Sequence, residues 1–283
     1  MTMRLILTLL GFFIIAQLLG IYTGVMILLD ITKNPYVSSL VVTGDVDNPL
    51  NAVFFILYIL FGAVVMMLLI RFFKLHTIMF KLMEFMLISS SSSIVFYAFL
   101  RLVVGYEDST LLGIVLGLVF SGLKLFFPTL KNTAAIFATA GAGVIFGVSL
   151  GLFPVILFLI FLAVYDYLSV FTTKHMVELA NFVVQKDLVF TVTAKAPPPP
   201  GKPKEKEKRV DLGTGDLIAP IMMEISALTY NPVATIFVFV GAVVSMTLFL
   251  FLVWKKKMVL PALPPIVLGM IVGLLVGFLL GFY

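Results

Sequence analysis

Residues 152–171 read LFPVILFLIFLAVYDYLSVF. This run contains a single charged residue, Asp166. A helix of about 20 apolar residues is what the hydrocarbon core of a bilayer requires. The run is therefore read as a membrane span that carries a carboxylate. A charged group deep in lipid costs several kcal/mol, about 3 by the lowest scales, and such residues usually face the bundle interior and serve a function.

The rest of the chain repeats the apolar pattern. By the same ruler, nine spans are expected: Leu5–Leu29, Leu50–Ile70, Leu82–Val104, Leu111–Phe127, Thr133–Leu150, Leu152–Phe171, Leu212–Tyr230, Val233–Trp254 and Pro261–Phe282. Ser89 to Ser93 interrupt the third. Their hydroxyls can bond back to carbonyls one turn earlier, so the helix survives them, and small residues there suit close packing. The first span is too long for a signal-peptide core and lacks a small-x-small cleavage site, so it is read as uncleaved. The expected fold is an all-α polytopic membrane protein. Residues 1–171 form a six-helix part, 172–211 a loop, and 212–283 a three-helix part.

Composition agrees. The 283 residues are 61% hydrophobic and 12% charged, and the mean hydropathy is +1.19. A soluble domain carries about 25% charged residues. All of the 19 Lys and Arg residues except Lys33 and Arg101 fall in alternate inter-span segments. The positive-inside rule then places the N-terminus in the cytoplasm and the C-terminus outside. This asymmetry accounts for the net charge of +5 without nucleic acid. The chain has no cysteine, which excludes disulfides and thiolate metal sites. His76 and His175 lie in different loops and lack the acidic spacing of a metal site.

The loop from Lys174 to Asp211 has three parts. Met176, Ala180, Val183 and Val184 share one helical face, as in an interfacial helix. Leu188 to Thr193 is β-prone. Pro197 to Arg209 is rich in proline and charge and reads as a polar tether. Elsewhere glycines recur at every fourth residue, at Gly143, Gly147 and Gly151 and again at Gly269, Gly273, Gly277 and Gly281. This small-xxx-small pattern signals close helix approach. Packing within the chain is the favoured use, with a homo-oligomer as the other.

Four acids fall within spans: Glu84, Asp166, Asp216 and Glu224. Asp166 lies about five residues before the inner end of the sixth span, and Asp216 about four residues into the seventh. At 1.5 Å per residue both lie roughly 6–8 Å deep, so antiparallel neighbours would bring them face to face. Two carboxyls in a poorly solvated site cannot both ionise, and they share a proton. One can then take a proton from water while the other polarises a carbonyl, which is the aspartic-protease arrangement. No metal or cofactor is needed. Glu224 lies about 12 Å deeper and is expected to be a buried acid bonded to a neighbouring helix. Glu84 is expected to pair with Lys81 or reach the interface.

Gly213 and Gly215 flank Thr214 just before Asp216, and they permit unusual backbone angles and close approach. Pro261, Pro264 and Pro265 open the last span. Three prolines in five residues are expected to disrupt a regular helix start and leave free carbonyls near the aspartates.

Taken together, Tyr165-Asp166, Gly213-Thr214-Gly215-Asp216 and Pro261-Ala262-Leu263-Pro264 resemble the presenilin and signal peptide peptidase family, closest to its archaeal members. Their order and spacing over the nine-span plan make the combination specific. The resemblance implies an intramembrane aspartyl endopeptidase with catalytic Asp166 and Asp216. It assigns shaping of the active site to Tyr165, Gly213, Thr214, Gly215, Pro261, Ala262, Leu263 and Pro264. Its implied partners are transmembrane-helix substrates and the lipid bilayer, with no cofactor and no obligatory partner subunit. The loop lacks the apolar insert whose cleavage matures presenilins. The implied location is the cell membrane for an archaeal chain, or an internal membrane for a eukaryotic one. The main alternative is an ion-leak channel or a proton- or cation-coupled transporter using the same aspartates. A membrane scaffold is a third reading. For substrate binding, the run Leu188 to Thr193 is expected to add an unwound peptide as a strand, opposite Pro261 to Pro264.

Overall fold

A computed structural model describes residues 3–72, 76–173, 189–196, 208–256 and 261–283. The helices are α1 (Met3–Asp30), a short α2 (Pro35–Ser38), α3 (Leu50–Phe72), α4 (His76–Val104), α5 (Tyr106–Phe126), α6 (Lys131–Ser149), α7 (Leu152–Leu168), α8 (Gly215–Tyr230), α9 (Pro232–Lys256) and α10 (Leu263–Leu279). A helix lies at each expected span. Among the described residues, six helices are long and apolar enough to cross a membrane. The apolar segments Leu50–Val65 and Leu263–Leu279 are shorter, and α8 has 16 residues. The proposed interfacial helix over Met176–Val184 and the tether from Pro197 to Glu207 lie outside the described residues, as does His175.

The outer helices expose apolar side chains, as lipid-facing surfaces do. Leu57, Tyr58 and Phe61 of α3, and Leu111 and Val115 of α5, are exposed. By contrast, α8 is buried along nearly its whole length from Leu217 to Ala227. It packs against α1, α6, α7, α9 and α10 and is the central helix of the bundle.

The glycine stripes explain much of that packing. An added Cβ at Gly143 or Gly147 would collide with Ile221 or Ile225 of α8, and one at Gly20 with Ile221. At Gly241 and Gly273 the collisions are with backbone, the Gly269 carbonyl in the first case and the Phe237 carbonyl in the second. The α9 and α10 backbones therefore touch directly, as small-residue faces permit. The stripes considered for a homo-oligomer are taken up within the chain.

The all-α expectation needs one correction. Strand β1 (Thr191–Ala196) pairs antiparallel with β2 (Lys208–Gly213), with Thr193 opposite Asp211. The β-prone run is thus a strand shifted toward its C-terminal side. The basic segment read as the end of a tether is its partner. Val192, Ala194 and Leu212 are buried in the core, and the sheet packs on α1 and α6. The other face carries Thr193, Asp211 and Arg209. There the Thr193 hydroxyl donates to Asp211 Oδ1 at 2.5 Å, and Arg209 Nε donates to both Asp211 oxygens at 2.9 Å.

The sheet also changes the expectation for β1 as a substrate-pairing strand. Asn132 of α6 donates to the Thr193 carbonyl at 2.8 Å and accepts from its N–H at 2.9 Å. Thr193 is thus held by an amide side chain acting as a surrogate strand on one edge, while β1 meets β2 on the other. Opposed residues in an antiparallel ladder alternate between bonded and non-bonded pairs. Thr193 and Asp211 therefore form a non-bonded pair, and the backbone groups of Arg209, Asp211 and Gly213 point to the outer edge of β2. Among the described residues no strand pairs with that edge.

Candidate active site

Asp166 lies in the last turn of α7, and Asp216 is the second residue of α8. The two helices pack on each other, and α10 packs on both. The chain therefore leaves α7 and enters α8 at the same end of the bundle. Asp166 and Asp216 both stand at that end, and both are half-buried.

Backbone lies against each carboxylate. The Leu263 N–H approaches Asp166 Oδ2 at 3.4 Å, a long contact. Asp216 Oδ2 lies against Gly213. A Cβ added at Gly213 would meet Asp216 Oδ2 at 3.3 Å, tighter than ordinary packing. A side chain there would push the Asp216 carboxyl by a few tenths of an ångström. Gly213 also ends β2, so the outer edge of β2 runs toward the Asp216 carboxyl.

Thr214 is the residue before α8 and has no side-chain cap bond. Instead its N–H and its hydroxyl both donate to the Phe190 carbonyl, at 3.1 Å and 3.2 Å. The Thr214 carbonyl accepts from Leu217 and Ile218 and starts the helix. The helix begins at Gly215, three residues later than the sequence reading placed the span. Pro220 lies inside α8. Its missing N–H leaves the Asp216 carbonyl without an i+4 donor.

The proline-rich segment forms a more regular structure than expected. Pro261, Ala262 and Leu263 are buried, and α10 starts at Leu263 with Pro264 in its first turn. The first N–H groups of a helix have no intrahelical partner, so proline costs little there. What reaches Asp166 is the Leu263 N–H, the donor left between the prolines, and not a free carbonyl. Tyr165 is half-buried beside Asp166, and Tyr167 is exposed.

Two apolar clefts reach residues next to the pair. One of 430 Å³ runs between α3, α6, α7 and α8 and reaches Gly215, with Phe55, Tyr58, Phe146, Phe158 and Leu162 in its walls. The other, of 840 Å³, lies between α9 and α10 and reaches Tyr167, Pro261 and Pro264.

The remaining acids are partnered. Glu224 is fully buried, and the Gln17 amide of α1 donates to both its oxygens, at 2.7 Å and 2.9 Å, once the amide is oriented to suit them. This is the inter-helix bond expected of it. Glu84 is also buried, but its cationic partner is Lys124 of α5 at 2.5 Å, not Lys81, which is exposed. A side chain on the neighbouring helix reaches it where one on its own helix points outward. Gln17, Lys124 and Asn132 were not singled out from sequence. Gln17 was legible as an amide in the middle of an apolar span.

Helices of this length and apolarity around two facing carboxyls define a multi-pass integral membrane protein with the outline of an aspartate hydrolase. Residues 10–282 match the family described as signal-peptide peptidase, presenilin aspartyl protease. The chain belongs to that family and is accordingly an enzyme, a peptide hydrolase of the aspartate class. Two solved structures, each described as a presenilin family intramembrane aspartate protease, share its fold. One, in space group C222, has a TM-score of 0.65 at 22% identity and covers 97% of this chain and 98% of its own. The other, in P2, has a TM-score of 0.64 at 24% identity and covers 94% and 97%. No curated protein matches by sequence.

Proposed function

We propose that the chain is an endopeptidase that hydrolyses peptide bonds within transmembrane helices, with Asp166 and Asp216 as its catalytic pair. The observation that carries this reading is that the end of α7 bearing Asp166 and the start of α8 bearing Asp216 pack with each other and with α10, whose Leu263 N–H reaches Asp166. One carboxyl is ionised and takes a proton from water as the water oxygen bonds to the scissile carbonyl carbon. The other is protonated and donates to the carbonyl oxygen. Collapse of the resulting gem-diol breaks the C–N bond, and the proton first taken from water goes to the leaving nitrogen. Tyr165, the Gly213–Gly215 turn and the Pro261–Pro264 segment shape the space around the pair.

A helical substrate hides its carbonyls in its own hydrogen bonds, so hydrolysis requires it to unwind, and the freed groups need partners in a nearly dry site. The outer edge of β2 supplies such partners. Its Arg209, Asp211 and Gly213 backbone groups lead toward Asp216. The cleft beside Gly215 gives an apolar helix a route to that edge. Its outer wall, α3, exposes much of its apolar surface, as a gate against lipid would. In the full arrangement all nine long helices cross the bilayer, with the basic loops and the aspartates toward the cytoplasm.

The test is incubation of the detergent-purified protein with a labelled transmembrane peptide, beside an Asp216→Ala control. Cleavage by the wild type alone is expected. Equal cleavage by the control overturns the assignment.

A further inference from the structure

Near the catalytic end of the bundle, Glu84 of α4 accepts two hydrogen bonds at Oε1. Lys124 Nζ of α5 donates at 2.5 Å and the Val189 backbone N–H at 2.6 Å. The Glu84 and Lys124 side chains are 2% and 9% exposed. A buried ion pair is a poor device for joining two helices, because apolar residues of similar volume do as well or better. What it offers here is a strong acceptor for a buried backbone N–H, with its negative charge compensated by Lys124.

That N–H belongs to the turn entering β1. One residue on, the Phe190 carbonyl accepts both the N–H and the hydroxyl of Thr214. Thr214 in turn starts α8, two residues before Asp216. Glu84 and Thr214 also line the same small cavity, with Thr139 and Phe190. A continuous set of bonds thus runs from α5 through α4 and the turn to the catalytic helix.

We propose that Glu84 is a positioning residue for Asp216. It fixes the Val189–Phe190 turn, and the turn fixes the Thr214 peptide that sets the start of α8. This rests on the proteolytic reading above. Lys124, donating to the same Oε1, holds Glu84 aimed at the turn. The same helix provides a natural contrast. Near its other end Arg101 pairs with buried Asp30, to which Tyr97 also donates. That pair joins α1 to α4 and touches neither the turn nor α8.

The experiment compares four purified proteins with the wild type: Glu84→Ala, Glu84→Gln, the double variant Glu84→Gln/Lys124→Met, and the double variant Asp30→Asn/Arg101→Met. Two quantities are read, steady-state cleavage of a labelled transmembrane peptide and amide hydrogen exchange over residues 208–217 without substrate. Glu84→Ala is expected to lose about tenfold to a hundredfold in kcat, as misplacement of a reacting group does, with KM nearly unchanged. Exchange over 208–217 should speed up. Glu84→Gln keeps an acceptor for Val189 but leaves Lys124 unpaired, so it should fall between. Adding Lys124→Met removes the orphan charge and should restore most of the kcat. The Asp30/Arg101 variant should lower Tm while leaving both readouts at wild-type values. Wild-type exchange over 208–217 in Glu84→Ala overturns the proposal, and so does an equal change in the Asp30/Arg101 variant. If Glu84→Ala does not fold, the Glu84→Gln/Lys124→Met variant decides, and a kcat as low as that of Glu84→Gln alone overturns it. Exchange needs no substrate. A wild type that does not cleave the peptide therefore ends the proteolytic reading, while the exchange result still decides the coupling.

Discussion

Gly273→Ala adds one methyl where the backbones of α9 and α10 touch. The new Cβ would overlap the Phe237 backbone carbonyl oxygen, with the Gly241 Cα at 3.3 Å. A carbonyl in a helix cannot rotate aside, so the helices must part by roughly 1 Å to restore ordinary contact. Overpacking of this kind costs about 1–3 kcal/mol. Against it stands the gain of about 1 kcal/mol for alanine over glycine in a helix interior. Taking the upper part of the overpacking range, the net is a loss of about 1–2 kcal/mol. The matched control is Gly11→Ala in α1, where an added Cβ meets nothing within 4 Å. There only the helix gain remains, up to about 1 kcal/mol. Thermal unfolding followed by circular dichroism in one detergent should therefore move the two variants in opposite directions. Activity should separate them too. The Leu263 N–H at the start of α10 approaches Asp166 at 3.4 Å, and a shift of roughly 1 Å reaching that end breaks the contact. Gly273→Ala with wild-type stability and activity, or Gly11→Ala with an equal loss, would refute this reasoning.

Two other outcomes follow from the site. Activity should depend on pH as a bell, because turnover needs one protonated and one ionised carboxyl. It is lost at low pH when both are protonated and at high pH when both are ionised. A flat profile over folded enzyme contradicts a shared proton. Separately, Arg209→Pro removes an N–H from the outer edge of β2 without removing a ladder bond to β1. It should cripple cleavage of a transmembrane peptide while barely changing the binding of a small active-site-directed inhibitor. Unchanged cleavage would show that substrates do not add to this edge.

The multi-pass helical architecture, the placing of Asp166 and Asp216 on the packed ends of α7 and α8, and the bonding of Glu224 to another helix were legible in the sequence. These rest on local quantities, namely apolar run length, depth along a helix, and the cost of burying a charge. The reading failed where a partner came from far along the chain. Lys208 and Arg209 looked like the end of a charged tether and Leu212-Gly213 like the mouth of the seventh span, because the strand character of Lys208–Gly213 appears only when β1 lies beside it. Asn132 sits 61 residues from the strand it holds, and no local pattern marks a side-chain amide as a surrogate strand. Lys81 was the obvious partner for Glu84 by spacing, but side-chain direction favoured Lys124. The prolines at 264 and 265 looked like breakers, yet the first N–H groups of a helix have no intrahelical partner and tolerate proline.

The central claim is that Asp166 and Asp216 act as one catalytic unit. Single-turnover cleavage of a labelled transmembrane peptide by Asp166→Asn, Asp216→Asn and the double variant tests it most directly. An amide keeps the size of the side chain but cannot cycle a proton. Each single variant should therefore fall to background with its fold intact, and the double variant should be no slower than either, because groups acting as a unit are not additive. Near-normal turnover in either single variant, or a double variant slower by the product of two partial losses, would contradict the account.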